Sequence, residues 1–270
     1  MKALLRSALI CAAALVAVAA GPAHAAKDVV FAVASNFTTT DPYDANDTLS
    51  QAMAKSFYQG LFGFEKDMKV IPVLAESYDV SKDGLVYTIK LKQGIKFHDG
   101  TDFKADAVKA NFDRVTNPDN KLKRYSLYSN IARTEVVDDY TARVTLKTPF
   151  SAFINQLAHP SGVMISPVAL QKYGKDIAFN PVGTGPFKFV QWRENEMIEL
   201  QRNPDYFEKG LPYLDKITIQ LIKEPTSAVA ALISGQIDAL DACPFQFMSQ
   251  LRANKNLQVY GEVEGNYAFL

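Results

Sequence analysis

The sequence contains few residues of the kinds that build covalent cross-links or metal sites. Two of its 270 residues are cysteine and three are histidine. Cys11 lies in an apolar N-terminal run that we predict to be removed, so Cys243 has no internal disulfide partner, and a lone cysteine is typical of a small buried apolar residue. His98 and His159 are the histidines that would remain, which excludes a histidine-rich metal site. We therefore predict neither a metal nor another cofactor.

An excess of charge of either sign is also lacking. The 29 Lys and Arg residues balance the 29 Asp and Glu residues, and no long basic run occurs. Binding to the phosphate backbone of a nucleic acid requires clustered cations, so we do not expect a nucleic-acid partner. The composition is otherwise ordinary, with 48% hydrophobic residues, which permits one large or two modest globular domains with hydrophobic cores.

The N-terminus has the pattern of an export signal. Lys2 and Arg6 precede an apolar run at 8–20, and the small residues of a cleavage site follow at 23–25 (AHA). A membrane anchor is the alternative, but the run is shorter than the ~20 apolar residues that a membrane-spanning helix needs. We therefore predict a cleaved secretory signal peptide over 1–25.

A polar loop follows the first apolar run of the mature chain. Val29 to Ala34 (VVFAVA) predicts a short buried strand, and the loop SNFTTTDP occupies 35–42. In open α/β sheets ligands bind at strand ends, so the amides and hydroxyls of this loop are suited to a small polar solute. Ordinary turn and capping chemistry is the alternative. The ligand-binding candidates here are Asn36, Phe37 and Thr38.

A helix is predicted after this loop, with Asp47 as its N-cap. Apolar residues recur at every fourth position from Leu49 to Leu61 and indicate one buried face. The free N–H groups of a helix N-terminus attract a carboxylate of a ligand, although Asp47 itself is expected to cap the helix. The candidates at this helix start are Asn46, Asp47 and Thr48.

The stretch from Asn180 to Ile222 predicts the return of the chain to a sheet that it has left. Its turn, PVGTGP, is rich in glycine and proline, and no Gly-x-Gly-x-x-Gly phosphate motif follows. Two short strands joined near Asn195 are predicted after the turn, and a third strand is predicted at 217–221. A last strand is predicted over 257–263, where apolar residues alternate.

Residues 76–115 carry the most specific pattern of the chain. A turn at Asp83-Gly84, a strand of alternating apolar residues, a second turn and a helix follow one another. His98 and Asp99 lie in the second turn, but they lack a nucleophile, and no Gly-x-Ser-x-Gly elbow is present. We therefore predict no catalytic residues, and these absences disfavour an exported hydrolase as the alternative to a binding protein.

The string ESYDVSKDGLVYTIKLKQGIKFHDGTDFKADAVKANFDR at 76–114 closely resembles the signature of the family 5 extracytoplasmic solute-binding proteins. These are the peptide, nickel and glutathione receptors of ABC importers. Lys104 departs from the signature, because relatives usually have Ser or Thr there, and the lost helix cap should cost about 1 kcal/mol. Further similar segments are GTGPFKF at 183–189, NPDYF at 203–207 and GQID at 235–238.

The resemblance implies an α/β structure of the periplasmic-binding-protein type II fold, with the first lobe only. A mixed sheet flanked by helices would carry an inserted α+β subdomain, and the sequence stops where relatives usually continue into a second lobe. The implied localisation is the periplasm, and the implied protein partners are the permease subunits of the importer in the inner membrane. The implied segments are the signal peptide (1–25), the first part of lobe I (26–58), the inserted subdomain (59–180), the return part of lobe I (181–262) and the start of a crossover to an absent second lobe (263–270).

Three local strings are most similar to the glutathione-binding members of the family. These are NFTTTDPYDANDTLSQAMAKSFYQGLFG at 36–63, LKRYSLYSNIA at 122–132 and FSAFINQLAHPSGVMISP at 150–167. The implied ligand is therefore glutathione or a short peptide, and another small solute such as a nickel chelate is the alternative. A third interpretation is a fragment that does not bind alone, because half a cleft cannot desolvate a small ligand.

The carboxylates of such a ligand require a cation in a desolvated pocket. Arg124 is the candidate, since by resemblance to a nickel-binding relative it falls where the pocket is lined, and Tyr125 beside it could stack or form a hydrogen bond. A solvated surface arginine is the alternative. The loop at 158–162 faces the cleft in relatives and contributes His159 and Ser161, although a histidine before proline is commonly structural.

Overall fold

A computed structural model describes residues 27–260. The predicted signal peptide over 1–25 and the predicted crossover over 263–270 lie outside these residues. The strands are β1 (Asp28–Val33), β2 (Phe62–Phe64), β3 (Val70–Pro72), β4 (Ala75–Val80), β5 (Val86–Leu91), β6 (Ile131–Asp138), β7 (Thr141–Leu146), β8 (Phe187–Arg193), β9 (Met197–Arg202), β10 (Lys216–Leu221) and β11 (Ala239–Leu240). The helices are α1 (Thr48–Ala54), α2 (Ala105–Thr116), α3 (Tyr125–Tyr128), α4 (Phe153–Leu157), α5 (Pro167–Tyr173), α6 (Pro225–Ile233) and α7 (Met248–Ala253).

The first sheet is mixed and has five strands in the order β11-β1-β10-β9-β8. β1 is parallel to β10 and β11, whereas β9 is antiparallel to β8 and β10. The strand predicted at 29–34 is confirmed as β1, and the hairpin predicted near Asn195 is confirmed as β8 and β9. Asn195 has a φ of 59°, a left-handed conformation that asparagine adopts readily in a tight turn.

The second sheet is antiparallel and has four strands in the order β4-β5-β7-β6. Tyr87, Ile89 and Leu91 of β5 are buried at alternate positions, and α2 packs against β6 and β7. β2 and β3 pair separately. All of these strands lie between residues 62 and 146, within the segment that we predicted as an inserted subdomain. The boundaries of that segment, at 59 and 180, stay a prediction.

One hydrophobic core runs through both sheets. It includes Val33 and Leu200 of the first sheet and Ile89 and Val144 of the second, each at most 1% exposed. A smaller cluster around Ala32 packs α6 against the opposite face of the first sheet, because neighbouring residues of a strand point to opposite faces. The described residues, which include a single cysteine, are therefore held together by apolar burial.

The turn at 183–186 packs directly onto the chain that follows α1. The N–H of Gly185 donates to the carbonyl oxygen of Phe57 at 3.1 Å. A Cβ at Gly183 would lie 2.1 Å from the same oxygen, so glycine is required here for close approach. The backbone N–H of His98 donates to the Gly183 carbonyl at 2.8 Å, and its Nε2 lies 3.0 Å from the Gly185 carbonyl oxygen. His98 therefore holds the turn.

α1 is shorter than the sequence predicts. The apolar spacing predicts a helix as far as Leu61, but α1 ends at Ala54, and Phe57 and Leu61 are buried beyond its end. The carbonyl groups of Ser56 and Phe57 accept hydrogen bonds from the backbone of the 185–187 segment. Because a distant segment binds these carbonyls, they do not continue the helical hydrogen-bond pattern.

α2 begins without a side-chain cap, as the departure at Lys104 predicts. Lys104 occupies the N-cap position and makes no capping hydrogen bond. Its Nζ instead donates to Asp139 at 2.8 Å, on the turn between β6 and β7. Lys104 thus replaces a local cap by a contact with the exposed Asp139, and an ion pair with an exposed partner adds little stability.

The prediction of a strand over 257–263 is wrong for the part of this segment that the structure describes. Residues 257–260 belong to no strand, and 261–263 lie outside the described range. A strand is stabilised by hydrogen bonds to a neighbouring strand, and among residues 27–260 none pairs with this segment. Alternation of apolar residues does not form a strand without such a partner.

We expect His98 to make the stability of the protein pH-dependent. Burial lowers the pKa of His98 from 6.5 to about 4. As the pH falls below the unfolded value, the unfolded chain takes up a proton that the folded chain does not bind. From about pH 7.5 to about pH 5, this should reduce the free energy of unfolding by about 2 kcal/mol. Urea denaturation should show this component in the wild type and its absence in His98→Gln; an identical pH dependence in both would contradict the assignment.

Replacing Gly183 by alanine should destabilise the protein far more than replacing Gly94. The added Cβ at Gly183 meets a backbone oxygen at 2.1 Å, so two backbone segments must move apart. At Gly94 nothing lies within 4 Å of the added Cβ, but a positive φ makes alanine there cost about 1 kcal/mol. We expect Gly183→Ala to lose more than about 3 kcal/mol of unfolding free energy in urea denaturation. Equal losses in the two variants would refute the close-approach argument.

Candidate functional site

A buried ion pair anchors the loop after β1 to α2. The Arg114 guanidinium donates to both oxygens of Asp41 at 3.2 and 2.5 Å, and the two side chains are 17% and 5% exposed, respectively. The N–H of Tyr43 donates to the same carboxylate at 3.1 Å. A bidentate pair of this kind is structural, since each charge is neutralised by the other. It fixes the loop that carries several ligand candidates.

Asp47 caps α1, as the sequence predicts. Its Oδ1 accepts the N–H of Ser50 at 2.8 Å, and its Oδ2 accepts the hydroxyl of Thr38 at 2.5 Å. Burial raises the pKa of this carboxyl, but the hydrogen bonds from Thr38 and Ser50 outweigh burial and lower it. The Thr38 hydroxyl and the Asp47 carboxylate are therefore engaged with each other in capping chemistry.

The four other ligand-binding candidates between the end of β1 and the start of α1 have three different environments. Asn36 donates from Nδ2 to Oδ1 of Asn195 at 3.2 Å, which joins the loop to the β8–β9 hairpin. Phe37 packs in the hydrophobic core and is 5% exposed. Asn46 and Thr48 are exposed at the start of α1. Of these four, Asn46 and Thr48 present polar groups freely at the surface.

Arg124 is held by backbone carbonyl groups of the loop at 34–47, which the Asp41–Arg114 pair fixes and which is called the anchored loop below. Its N–H donates to Tyr43 O at 3.1 Å, and its Nε donates to Ala45 O at 2.8 Å. The side chain is half-buried, and within residues 27–260 its terminal NH2 groups have no hydrogen-bond acceptor. Tyr125, also half-buried, begins α3. A guanidinium fixed through Nε is suited to donate two parallel hydrogen bonds to a carboxylate.

His159 is positioned by a buried hydroxyl network. The N–H of Ser161 donates to Nδ1 at 3.1 Å, and the Ser161 hydroxyl lies 2.9 Å from Nδ1 and 3.0 Å from the hydroxyl of Tyr128. Since Nδ1 accepts, the neutral imidazole carries its proton on Nε2. Burial lowers the pKa of His159, and the positive charges of Arg124 and Lys55 lower it further. Near neutral pH the ring is therefore an uncharged donor through Nε2.

The end of α1 reaches the same region. The Gln59 carbonyl accepts the N–H of Met164 at 2.8 Å, so the chain after α1 runs beside the loop that carries His159. Lys55, at the C-terminal end of α1, is exposed. It forms no salt bridge with any residue in the part of the chain that the structure describes. The structure thus brings the chain after α1 beside the segment that carries His159, whose Nδ1 lies in hydrogen-bond contact with Ser161.

Residues 69–270 match the family described as bacterial extracellular solute-binding proteins, family 5 Middle. The chain belongs to this family. The resemblance that the 76–114 segment indicates is confirmed, since that segment lies within the matched residues.

A curated relative and two solved structures, each named with its ligand, match most of this chain. The glutathione-binding protein GsiB of Salmonella typhimurium is 60% identical over 242 residues, which are 90% of this chain and 47% of GsiB. The structure of AgaA from A. tumefaciens R10 with agropinic acid has 33% identity and a TM-score of 0.78, and covers 84% of this chain and 46% of AgaA. The structure of DppA from Helicobacter pylori with the peptide STSA has 30% identity and a TM-score of 0.78, and covers 85% of this chain and 49% of DppA.

The chain spans about half the length of the curated relatives it matches. Over that half, the likeness to the solved structures of AgaA and DppA confirms the predicted α/β class and the type II periplasmic-binding-protein fold. Between residues 27 and 260, no helix combines the length and the hydrophobicity needed to cross a membrane.

His98 and Asp99, the pair considered as catalytic, both make structural contacts. The Asp99 carboxylate accepts the hydroxyl of Ser166 at 2.5 Å, at the start of α5, while His98 binds the glycine turn. Cys243 is a free, half-buried thiol, more exposed than the sequence predicts. Among the described residues, no group of three or more His, Cys, Asp or Glu side chains is arranged to hold a metal ion.

Sequence reasoning did not select Lys55 or the Asp41–Arg114 pair. Lys55 lies within the 36–63 string without a distinctive spacing, and its positive charge lowers the pKa of His159, a residue about a hundred positions away in the chain. Asp41 precedes a proline and is indistinguishable in sequence from an ordinary turn residue. A pattern of local spacing carries no signal for either contact.

Breaking the Asp41–Arg114 pair should destabilise the protein strongly. Asp41→Asn and Arg114→Met each leave a buried charge without its partner, so each should lower the free energy of unfolding by about 3–5 kcal/mol. The double variant should lose less than the sum. Lys123→Met, which removes the exposed contact to Asp44 at 3.8 Å, is the control and should cost less than about 1 kcal/mol. Urea denaturation measures all four, and strictly additive losses would show that the pair is not coupled.

Proposed function

We propose that this chain is the ligand-binding first lobe of a periplasmic receptor that delivers glutathione or a short peptide to an ABC importer. The observation that carries the proposal is the 60% identity to the glutathione-binding protein GsiB over 90% of this chain. The structure of the relative DppA with a peptide supports the peptide alternative. The signal peptide predicted over 1–25 provides the route to the periplasm.

The proposed ligands share a chemistry that fits the donors of the site. Glutathione and peptides carry carboxylates, and agropinic acid, bound to the relative AgaA, is also an acid. A carboxylate that leaves water needs charge-assisted hydrogen bonds. Arg124 offers its terminal NH2 groups, and His159 offers its Nε2–H, so these two residues are the proposed carboxylate contacts.

The remaining candidates divide by what their side chains already contact. Side chains that are exposed or half-buried near the anchored loop are proposed to touch the solute, whereas side chains engaged in the loop or the core are proposed to position their neighbours. Direct contact is proposed for Asn36, Asn46, Thr48, Arg124, Tyr125 and His159. Positioning is proposed for Phe37, Thr38, Asp47 and Ser161.

The proposed receptor acts by closing two lobes over the solute. A ligand shifts this equilibrium by the contacts that it makes with both lobes in the closed state. The closed form is then recognised by the permease subunits. This chain aligns with 47% of GsiB, so the affinity of the chain by itself is the first quantity to measure.

Arg124→Ala should weaken the binding of glutathione at least about tenfold, because a bidentate charge-assisted contact to a carboxylate is lost. Titration calorimetry of the purified protein with glutathione and with a tripeptide measures Kd. Arg133→Ala, which removes an exposed arginine of β6, is the matched control and should leave Kd unchanged. Unchanged affinity in Arg124→Ala would sink the assignment.

Two further measurements separate the proposal from its alternatives. Glutathione recovered intact after long incubation with the protein supports a receptor, whereas cleavage products would point to a hydrolase. A rise in Tm with saturating glutathione or peptide supports binding by this chain alone. Absence of any shift with either solute would overturn independent binding.

A further inference from the structure

We infer that Tyr128 is a positioning residue of the proposed site, and that its hydroxyl fixes which ring nitrogen of His159 carries the proton. The two side chains are joined through the hydroxyl of Ser161. Tyr128 is fully buried, so it does not meet the solute itself. The inference rests on the proposed function, because it concerns the residue that sets the direction of a proposed ligand contact.

The ring and the hydroxyl of Tyr128 are held from several sides. The ring packs edge-on against Tyr43 with the centroids 5.7 Å apart, and it stacks on Phe112 at 6.1 Å. The hydroxyl lies 3.0 Å from the hydroxyl of Ser161, which is also fully buried. Among residues 27–260 it has no other hydrogen-bond partner. A buried hydroxyl without an acceptor is costly, so Tyr128 donates to Ser161.

The donation from Tyr128 sets the direction of the next hydrogen bond. Since the Ser161 oxygen accepts the proton of Tyr128, its own proton points at Nδ1 of His159, 2.9 Å away. The backbone N–H of Ser161 approaches the same nitrogen at 3.1 Å. Both donors require Nδ1 to be an acceptor, which leaves the proton of the neutral ring on Nε2.

The opposite proton arrangement leaves a buried donor without an acceptor. With a proton on Nδ1, His159 would donate to the Ser161 oxygen, and Ser161 would have to turn its hydroxyl towards Tyr128. The Tyr128 proton would then face no acceptor in the part of the chain that the structure describes. An unsatisfied buried donor is disfavoured, so the Tyr128 hydroxyl acts on His159 through Ser161.

The loop that carries Ser161 has supports besides Tyr128. The next residue, Gly162, packs so closely that a Cβ there would lie 2.5 Å from the carbonyl oxygen of Leu157. Val163 accepts the hydroxyl of Tyr43 at 2.9 Å. Removing the Tyr128 hydroxyl should therefore leave the loop backbone in place, and the proton arrangement can be tested separately from the fold.

Nitrogen NMR of the His159 imidazole at about pH 8, where the ring is neutral, tests this role without any solute. The wild type should show the Nε2–H tautomer alone. In Tyr128→Phe, the Ser161 hydroxyl is free to turn, and its oxygen can accept a proton on Nδ1, so both tautomers should be populated. A single tautomer in Tyr128→Phe, or a mixture in the wild type, would overturn the proposal.

Two further variants separate an effect through Ser161 from a loosened loop. Ser161 is the only side chain among the described residues that could accept a proton from Nδ1, so Tyr128→Phe combined with Ser161→Ala should return to the Nε2–H tautomer. Tyr43→Phe deletes the other tyrosine hydrogen bond to this loop and should keep the wild-type tautomer. A mixture in either control would assign the effect to loosening and would also overturn the proposal.

Calorimetry with glutathione relates the tautomer to binding. A ring with its proton on Nδ1 offers no donor at Nε2, so Kd in Tyr128→Phe should rise by the inverse of the Nε2–H fraction, about twofold for an equal mixture. If the wild type does not bind glutathione but the tautomers behave as expected, the proposed function is wrong and the positioning role stands. If the wild type binds glutathione and Tyr128→Phe keeps one tautomer, the positioning role is wrong and the proposed function stands.

Discussion

The buried ion pair between Asp41 and Arg114 is the interaction on which the site depends. It ties the loop after β1 to α2, and hence the first sheet to the second. Tyr43 donates its N–H to this pair, accepts the N–H of Arg124 with its carbonyl, and donates its hydroxyl to Val163 O at 2.9 Å. One anchored loop therefore determines the position of the Arg124 backbone and of the loop after α4 together.

The elements that the sequence predicts correctly are those whose causes are local. β1 follows from a short apolar run, and the β8–β9 hairpin follows from alternation around Asn195, which accepts the left-handed turn. The cap of α1 by Asp47 needs only a side chain and the N–H of Ser50, a few residues away. The signature at 76–114 is likewise continuous in the chain, so the family could be recognised before any tertiary contact was known.

The predictions that fail, and the contacts that were missed, depend on segments far apart in the sequence. The apolar residues spaced as far as Leu61 are indeed buried. The carbonyls of Ser56 and Phe57, however, accept hydrogen bonds from the segment of the glycine turn and not from a further turn of helix. The strand expected at 257–263 has the right alternation and no neighbour to pair with among the described residues. The chain after α1 lies beside the segment that carries His159 because the backbone at Gln59 pairs with Met164, from another part of the chain. Local spacing contains none of this information.

Two arginines and two histidines show how contacts separate structural side chains from ligand-binding candidates of the same type. Arg114 is neutralised by a buried carboxylate, and both ring nitrogens of His98 face the backbone of one turn. Arg124 and His159 are oriented by a single nitrogen each, Nε and Nδ1, and their other donors have no acceptor within the described chain. Half-buried donors that are fixed in direction and not buried from water stay hydrated, and an anion can replace that water with charge-assisted hydrogen bonds. The same constraint that holds these side chains in place thus leaves their remaining donors available to a carboxylate.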